Sequence, residues 1–213
     1  CEMTTDDLIR VMAADTARPQ PLTTSLMRGL IPALAVALAV VATLLGFRED
    51  LAAALLTPLL AMRTLLVAVL GLVAIGCVSE LIRPEGRDSV RLWPLAGIGA
   101  VALGLLAWAW VTTPADMRER ALLGETLATC LVMIPLLSIL PVAAVLVTLR
   151  RGATTAPALA GFVAGLAGSG LAAAIYSLHC PENSPLFCVT WYGLAILSTA
   201  AVSAALGARL LRW

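Results

Sequence analysis

Residues 127–149 read LATCLVMIPLLSILPVAAVLVTL, a run without a single acidic or basic side chain. At about 1.5 Å per residue, a helix of this length crosses the roughly 30 Å hydrocarbon core of a bilayer. A charge at the bilayer centre costs a few kcal/mol, which explains why such runs lack charge. Five more apolar runs of similar length flank this one. The sequence therefore predicts an all-α, polytopic membrane helix bundle with six transmembrane spans, at residues 29–47, 64–82, 92–111, 127–149, 157–178 and 188–208.

The composition also points to a membrane protein. Hydrophobic residues make up 61% of the chain and charged residues 13%, whereas about a quarter of a soluble domain is charged. The net charge of +1, without an arginine stripe on any helix, disfavours direct binding to nucleic acid. All basic residues are arginine, and Ala and Leu dominate, which is typical of a GC-rich bacterial genome. We therefore expect a bacterial inner membrane, with membrane lipid around the bundle.

The arginines are divided unequally between the two sides of the predicted bundle. One side holds Arg10, Arg18, Arg28, Arg83, Arg87, Arg91, Arg150, Arg151, Arg209 and Arg212. The other side holds only Arg48, Arg63, Arg118 and Arg120. The positive-inside rule then predicts that both termini are cytoplasmic. Aromatic residues at the outer ends of spans, namely Trp108, Trp110, Tyr176, Trp191 and Tyr192, are expected to form an interfacial belt.

Residues 1–28 are predicted to be a cytoplasmic tail, followed by a six-span domain at residues 29–213. Met3 is expected to be the natural start, in preference to a lipidated Cys1. Within the tail, TTDDLIRVM at residues 4–12 predicts a short helix with Asp6 and Asp7 in its first turn. An apolar edge on this helix, made by Leu8, Ile9 and Met12, needs the bundle, the lipid surface or a partner protein to cover it.

The fifth loop holds the densest chemistry, HCPENSP at residues 179–185, and is predicted to face the oxidising periplasm. Cys130 and Cys188 are expected at the same membrane depth as Cys180. Two interpretations are open: a disulfide such as Cys130 to Cys180, or a metal site using Cys180 and His179 with Cys130, Cys188 or Glu182. Alternatively, Cys130 and Cys188 are small apolar residues at helix ends, which is common for buried cysteine.

Ordinary enzyme and transporter signatures are missing from the sequence. A single histidine and scattered carboxylates offer neither a Ser-His-Asp arrangement nor HExxH, and no CxxC occurs. Apart from Glu80 near one span end, no charged side chain is expected inside the spans, which disfavours a transporter. Small residues in the fifth span, Gly161, Gly165 and Gly168, predict close helix packing there.

Several stretches resemble one family: DDLI in the tail, CLVMIPLLSILP in the fourth span, RRGA after it, and LHCPENSPLF, WYGLAI and RLLRW towards the end. They resemble the NrsF-type membrane anti-sigma factors, negative regulators of bacterial extracytoplasmic-function sigma factors. The resemblance covers the whole chain. It implies that the tail holds a sigma factor, with Asp6, Asp7, Leu8 and Ile9 matching the family's tail motif.

The same resemblance implies that Cys130 and Cys180 match paired cysteines linked to metal or oxidative stress, with Cys188 outside that pattern. The expected protein is a membrane anti-sigma factor without catalytic activity or resident cofactor, although a transient metal ion at the outer cysteines is left open. Its alternatives are a membrane thiol-disulfide exchange enzyme and, third, a small transporter.

Overall fold

A computed structural model describes residues 4–14, 22–48, 50–51 and 57–212, and leaves the side chains at positions 8, 11–14, 22 and 59 undescribed. The described residues form helices and no strands. Six helical stretches are long and apolar enough to cross a membrane, which confirms the predicted fold class. We number these spans 1 to 6: Thr23–Leu45, Leu60–Leu81, Trp93–Thr112, Arg118–Leu149, Pro157–Tyr176 and Pro185–Leu210.

The helices themselves have the following bounds. A tail helix, Thr5–Ala14, precedes Leu22–Val40, which continues as a π-helical turn at Val41–Leu45. Then come Pro58–Leu81, Gly86–Ser89, Trp93–Thr112, Arg118–Leu123, Leu127–Leu149, Pro157–Tyr176 and Pro185–Phe187. A second π-helical turn, Cys188–Tyr192, leads into Gly193–Leu210. With six spans, both termini belong to one end of the bundle, which we call the terminal end, and the first, third and fifth loops belong to the other, the odd-loop end.

Span 5 is the centre of the bundle, and its small residues are the reason. A Cβ on Gly161 would lie 2.5 Å from the Ser203 carbonyl oxygen, and one on Gly165 would lie 2.5 Å from Ala200 Cα, both in span 6. A Cβ on Gly168 would meet Val142 of span 4 at 2.6 Å. The glycines let both backbones approach closely, as the sequence predicted. Span 3, by contrast, packs only a small part of its surface against the other spans.

Two helix starts differ from the prediction. The span 1 helix begins at Leu22 instead of residue 29, and the span 2 helix begins at Pro58 instead of residue 64. Proline suits the first turn of a helix because the missing N–H would have no intrahelical partner there. The early start of span 2 carries Arg63 from the predicted first loop into the helix, where it is buried.

The predicted aromatic belt is partly wrong. Trp108 and Trp110 are exposed as expected, but Tyr176 and Tyr192 are almost completely buried in the core. Their rings pack together with centroids 5.9 Å apart, inside the odd-loop end of the bundle. Tyrosine fits this place because its ring supplies large buried area beside polar groups.

Candidate functional site

The fifth loop, residues 177–184 in the structure, folds into the odd-loop end of the bundle. The sequence predicts Cys180 in a polar loop that faces the periplasm, but its side chain is fully buried, as is that of Cys130, and Cys188 is only 6% exposed. Burial of a loop is costly unless its backbone groups find hydrogen-bond partners. Arg63 and Arg48 donate to its carbonyls, and the His179 side chain bonds the loop to the end of span 1.

Arg63 is the centre of this arrangement. Its Nη2 donates to the carbonyls of Ser177 at 2.8 Å and Cys180 at 3.2 Å, and its Nη1 donates to the carbonyl of Glu182. The same Nη1 lies 3.6 Å from Cys188 Sγ. One guanidinium thus replaces water for three carbonyls of the fifth loop, using the five-donor geometry that lysine lacks.

The sequence places Arg63 in the first loop, among the outer arginines, and therefore does not predict its burial. A buried arginine near a span end normally has an acidic partner, yet no carboxylate of the described residues forms an ion pair with it. The signal that could have found it is Pro58, a preferred first-turn residue that begins the helix early enough to enclose position 63.

Arg48 and His179 join the fifth loop to the end of span 1. The Arg48 guanidinium forms a salt bridge with Asp50 at 2.6 Å and donates to Asn183 Oδ1 at 3.2 Å. Hydrogen bonding from Arg48 lowers the pKa of the Asp50 carboxyl, so this carboxylate stays ionised. His179 Nδ1 lies 2.8 Å from the Gly46 carbonyl oxygen.

Glu182 joins the fifth loop to the third. Its Oε1 accepts a hydrogen bond of 2.7 Å from the backbone N–H of Glu125. Gly124, with φ of +56°, makes this approach possible, since a Cβ there would lie 2.6 Å from the Phe187 ring and 2.8 Å from Glu182 Oε1. The carboxylate that sequence analysis offered as a metal ligand is thus bonded to the backbone of the third loop.

The three cysteines of the odd-loop end lie close to one another, and we call them the cysteine cluster: Cys130, Cys180 and Cys188. Cys180 Sγ lies 4.0 Å from Thr126 Oγ1, one helical turn before Cys130 on the same face of span 4. Arg63 connects Cys180 and Cys188, since it donates to the Cys180 carbonyl and lies 3.6 Å from Cys188 Sγ. All four cysteines among the described residues are free thiols, so the predicted disulfide stays a prediction.

The predicted metal set is not assembled. Among the residues that the structure describes, no group of three or more His, Cys, Asp and Glu side chains could hold a metal ion. His179 and Glu182, the candidate ligands next to Cys180, each make the loop contact described above. A metal site at Cys180, His179 and Cys130 therefore stays a prediction that requires these contacts to change.

The tail helix forms as the sequence predicts. The Asp7 backbone N–H donates to Thr4 Oγ1 and the Thr4 backbone N–H donates to Asp7 Oδ2, both at 3.3 Å, which is a reciprocal helix cap. Thr4 Oγ1 also donates to Asp7 Oδ2 at 2.7 Å. These bonds from Thr4 lower the pKa of the Asp7 carboxyl. Asp6 and Ile9 are exposed, Ile9 at 58%. The side chains of Leu8 and Met12 lie outside what the structure describes.

The geometry thus defines a polytopic helical membrane protein with a short helix before its first span and a buried arginine-cysteine cluster at the opposite end. The family described as NrsF, negative regulator of sigma F, matches residues 11–213, and the chain belongs to this family. Family membership indicates a regulatory protein and favours that class over a thiol-exchange enzyme.

Two relatives illustrate the similarity. The "Probable anti-sigma-F factor NrsF" of Azospira oryzae is 39% identical over 173 residues, 80% of each chain. The "Anti-sigma-F factor NrsF" of Caulobacter vibrioides is 36% identical over 220 residues, 99% of this chain and 100% of that protein. No solved structure gives a significant match.

Proposed function

We propose that this chain is a membrane anti-sigma factor. It holds an extracytoplasmic-function sigma factor at the cytoplasmic face of a bacterial inner membrane through the tail helix, and releases it when the cysteine cluster reacts. The names of both relatives support the sigma-factor partner. The arginine distribution supports cytoplasmic termini.

The exposed tail helix is the observation that carries this proposal. A helix of 10 residues is marginal alone in water, so a helix with an exposed Ile9 gains much of its stability from a partner. Binding of a short amphipathic helix in an apolar groove is a common mode of recognition.

The two carboxylates of the tail helix, Asp6 and Asp7, have different roles in this proposal. Asp7 is the helix cap, whereas Asp6 makes no hydrogen bond or ion pair with the described residues. Asp6 is therefore the carboxylate that meets a basic residue of the sigma factor, and Asp7 keeps the helix formed while Leu8, Ile9 and Met12 are presented to the partner.

Co-purification tests the proposed function. The chain, tagged at its carboxyl end and solubilised from membranes of unstressed cells, should retain one sigma factor in a stable complex. The tail-deleted chain, lacking residues 1–14, is the control and should retain none. A full-length protein that is present at normal level and captures no sigma factor would contradict the proposal.

Span 4 is the proposed connection between the two ends. Cys130 lies near its odd-loop end, and at the terminal end Arg151 Nη1 donates to Ser25 Oγ of span 1 at 3.2 Å. Span 1 also approaches span 4 closely, since a Cβ on Gly29 would lie 3.3 Å from Ala144 Cβ. A shift of span 4 therefore reaches the helix that directly follows the tail.

The reaction of the thiols must supply a large part of the free energy that moves the protein from the state that holds the sigma factor to the state that releases it. Moving a two-state equilibrium from mostly off to mostly on takes about 5.5 kcal/mol of differential binding. A disulfide between Cys130 and Cys180, or a metal ion bound by the cluster with His179 and Glu182 as further ligands, can change the free energy by several kcal/mol.

The cysteine prediction uses a double variant, Cys130→Ser with Cys180→Ser. Induction of the sigma-factor regulon by a thiol-reactive metal or oxidant should fall at least about tenfold, because losing even 1.4 kcal/mol of the switching energy changes the equilibrium tenfold. A promoter fusion to a reporter measures it. Cys77→Ser is the control, since Cys77 contacts the Arg91 carbonyl far from the cluster. Unchanged induction in the double variant would show that these cysteines only pack.

A further inference from the structure

One thiol of the cysteine cluster lies beside a buried cation. Arg63 Nη1 is 3.6 Å from Cys188 Sγ, and the other hydrogen bonds of the Arg63 guanidinium go to the backbone carbonyls described above. Arg63 is 6% exposed and forms no ion pair with a carboxylate of the described residues. A buried cation is normally paired with a negative charge. Cys188, as a thiolate, is the described side chain that can supply this charge at hydrogen-bond distance.

Accessible surface separates Cys188 from the other two thiols of the cluster. Cys130 and Cys180 have none, whereas Cys188 is 6% exposed. Cys188 also lines an apolar groove of 720 Å³ between span 3 and spans 2, 5 and 6, together with side chains such as Leu66 and Phe162. Since membrane spans form the walls of this groove, an uncharged molecule dissolved in the bilayer enters it at lower cost than a charged one, which must leave water.

We propose that Cys188 is the first thiol of the cluster to be modified, and that its reagents are uncharged, membrane-soluble electrophiles with an activated carbon–carbon double bond. The Cys188 sulfur forms a bond to one alkene carbon, the π bond breaks, and the thiol proton ends on the neighbouring carbon. The addition needs no oxidant and no second reactant. Arg63 stabilises the thiolate through which the thiol attacks.

The surroundings of Cys188 favour such an electrophile over a metal cation. The Arg63 guanidinium repels a second positive charge at this sulfur. The described residues also offer no group of three or more His, Cys, Asp and Glu side chains that could hold a metal ion. This inference rests on the proposed function only in linking the modified thiol to release of a sigma factor, because the reactivity of Cys188 is a property of the chain alone.

Site-resolved labelling tests the order of reaction. The full chain in phosphatidylcholine nanodiscs is treated with N-ethylmaleimide, and peptide mass spectrometry gives the labelling rate at each cysteine. Cys188 should react at least about tenfold faster than Cys130 and Cys180. Cys77 is the internal control, because it has the same 6% exposure while its sulfur contacts the Arg91 carbonyl. Cys188 should also exceed Cys77 about tenfold, since a neighbouring arginine raises the thiolate fraction by at least that factor.

A charged reagent of similar size tests the route of access. N-(2-carboxyethyl)maleimide has the same reactive double bond but carries a carboxylate. After correction for the rates of both reagents with free cysteine, it should label Cys188 at least about tenfold more slowly than N-ethylmaleimide, because its carboxylate must leave water. Neither measurement requires a sigma factor, so a failure of the proposed function leaves both results interpretable. Equal corrected rates for the two reagents, or a Cys188 rate no higher than those of Cys77, Cys130 and Cys180, would overturn the proposal.

Discussion

Replacing Arg63 by leucine should expose the cysteine cluster to solvent reagents. The substitution leaves the buried carbonyls of Ser177 and Glu182 without a donor, and the Cys180 carbonyl keeps only a long hydrogen bond of 3.5 Å from Arg48 Nη1. Each orphaned buried group costs about 1–3 kcal/mol, so the folded position of the fifth loop loses about 2 kcal/mol or more. The loop then opens to water, where its carbonyls are hydrated.

The measurement is the rate of maleimide labelling of Cys180 in purified protein, with Cys1 and Cys77 replaced by serine. Labelling in the Arg63→Leu variant should be at least about tenfold faster, since 1.4 kcal/mol already changes the population of an open state tenfold. Arg118→Leu is the matched control: Arg118 bonds the Thr113 carbonyl and lies over the Trp110 ring, away from the fifth loop. Slow labelling in both variants would refute the role given to Arg63.

The second large effect is expected in the tail. Ile9→Asp places a charge on the exposed apolar edge of the tail helix and should weaken sigma-factor binding about 30-fold, the size of an interface hot spot near 2 kcal/mol. The regulon should then be active without any stimulus, while the protein still inserts. Transcript levels in unstressed cells measure the effect.

Variants of the neighbouring polar residues separate binding from helix formation. Asp6→Ala should release the sigma factor partially, since an exposed ion pair contributes at most about 1 kcal/mol. Asp7→Ala should act through loss of the helix cap formed with Thr4. Arg10→Gln is the control on the same helix. If the regulon stays silent in the Ile9→Asp variant at normal protein level, the tail helix does not bind the sigma factor through this residue and the proposal is contradicted.

Hydropathy alone predicted much of the fold. Six apolar runs without charge admit one structural solution in a bilayer, because every backbone group must be bonded within a helix. The glycines of span 5 predicted its close contacts for the same elementary reason, the absence of a Cβ. The tail helix followed from Thr4 and Asp7, whose spacing is that of a reciprocal cap.

The cluster at the odd-loop end could be predicted only in part. The cysteines share a membrane depth that the spans fix, so their proximity was foreseeable. The burial of Cys180 was not, because it depends on Arg63 reaching three carbonyls more than a hundred residues away in sequence. The local sequence places an arginine at a span end. Whether its guanidinium is solvated or bonds the carbonyls of the fifth loop depends on the tertiary fold.

Tyr176 and Tyr192 show the same limit. Their position at span ends is the usual place for an interfacial belt, and no neighbour in sequence distinguishes a belt residue from a core residue. Both rings are buried and pack against each other, one from span 5 and one from span 6, so their burial depends on how the two spans meet in the tertiary fold.

In-cell photo-cross-linking from position 9 tests the central claim, sigma-factor binding by the tail helix, most directly. A benzophenone amino acid replaces Ile9 in one strain and Met117 in another, since both side chains are apolar and more than half exposed, at predicted opposite sides of the membrane. Illumination of unstressed cells should give a covalent adduct with the sigma factor from position 9 and none from position 117, and the adduct should decrease after thiol-reactive stress. No sigma-factor adduct from position 9, with the protein inserted at normal level, would contradict the account.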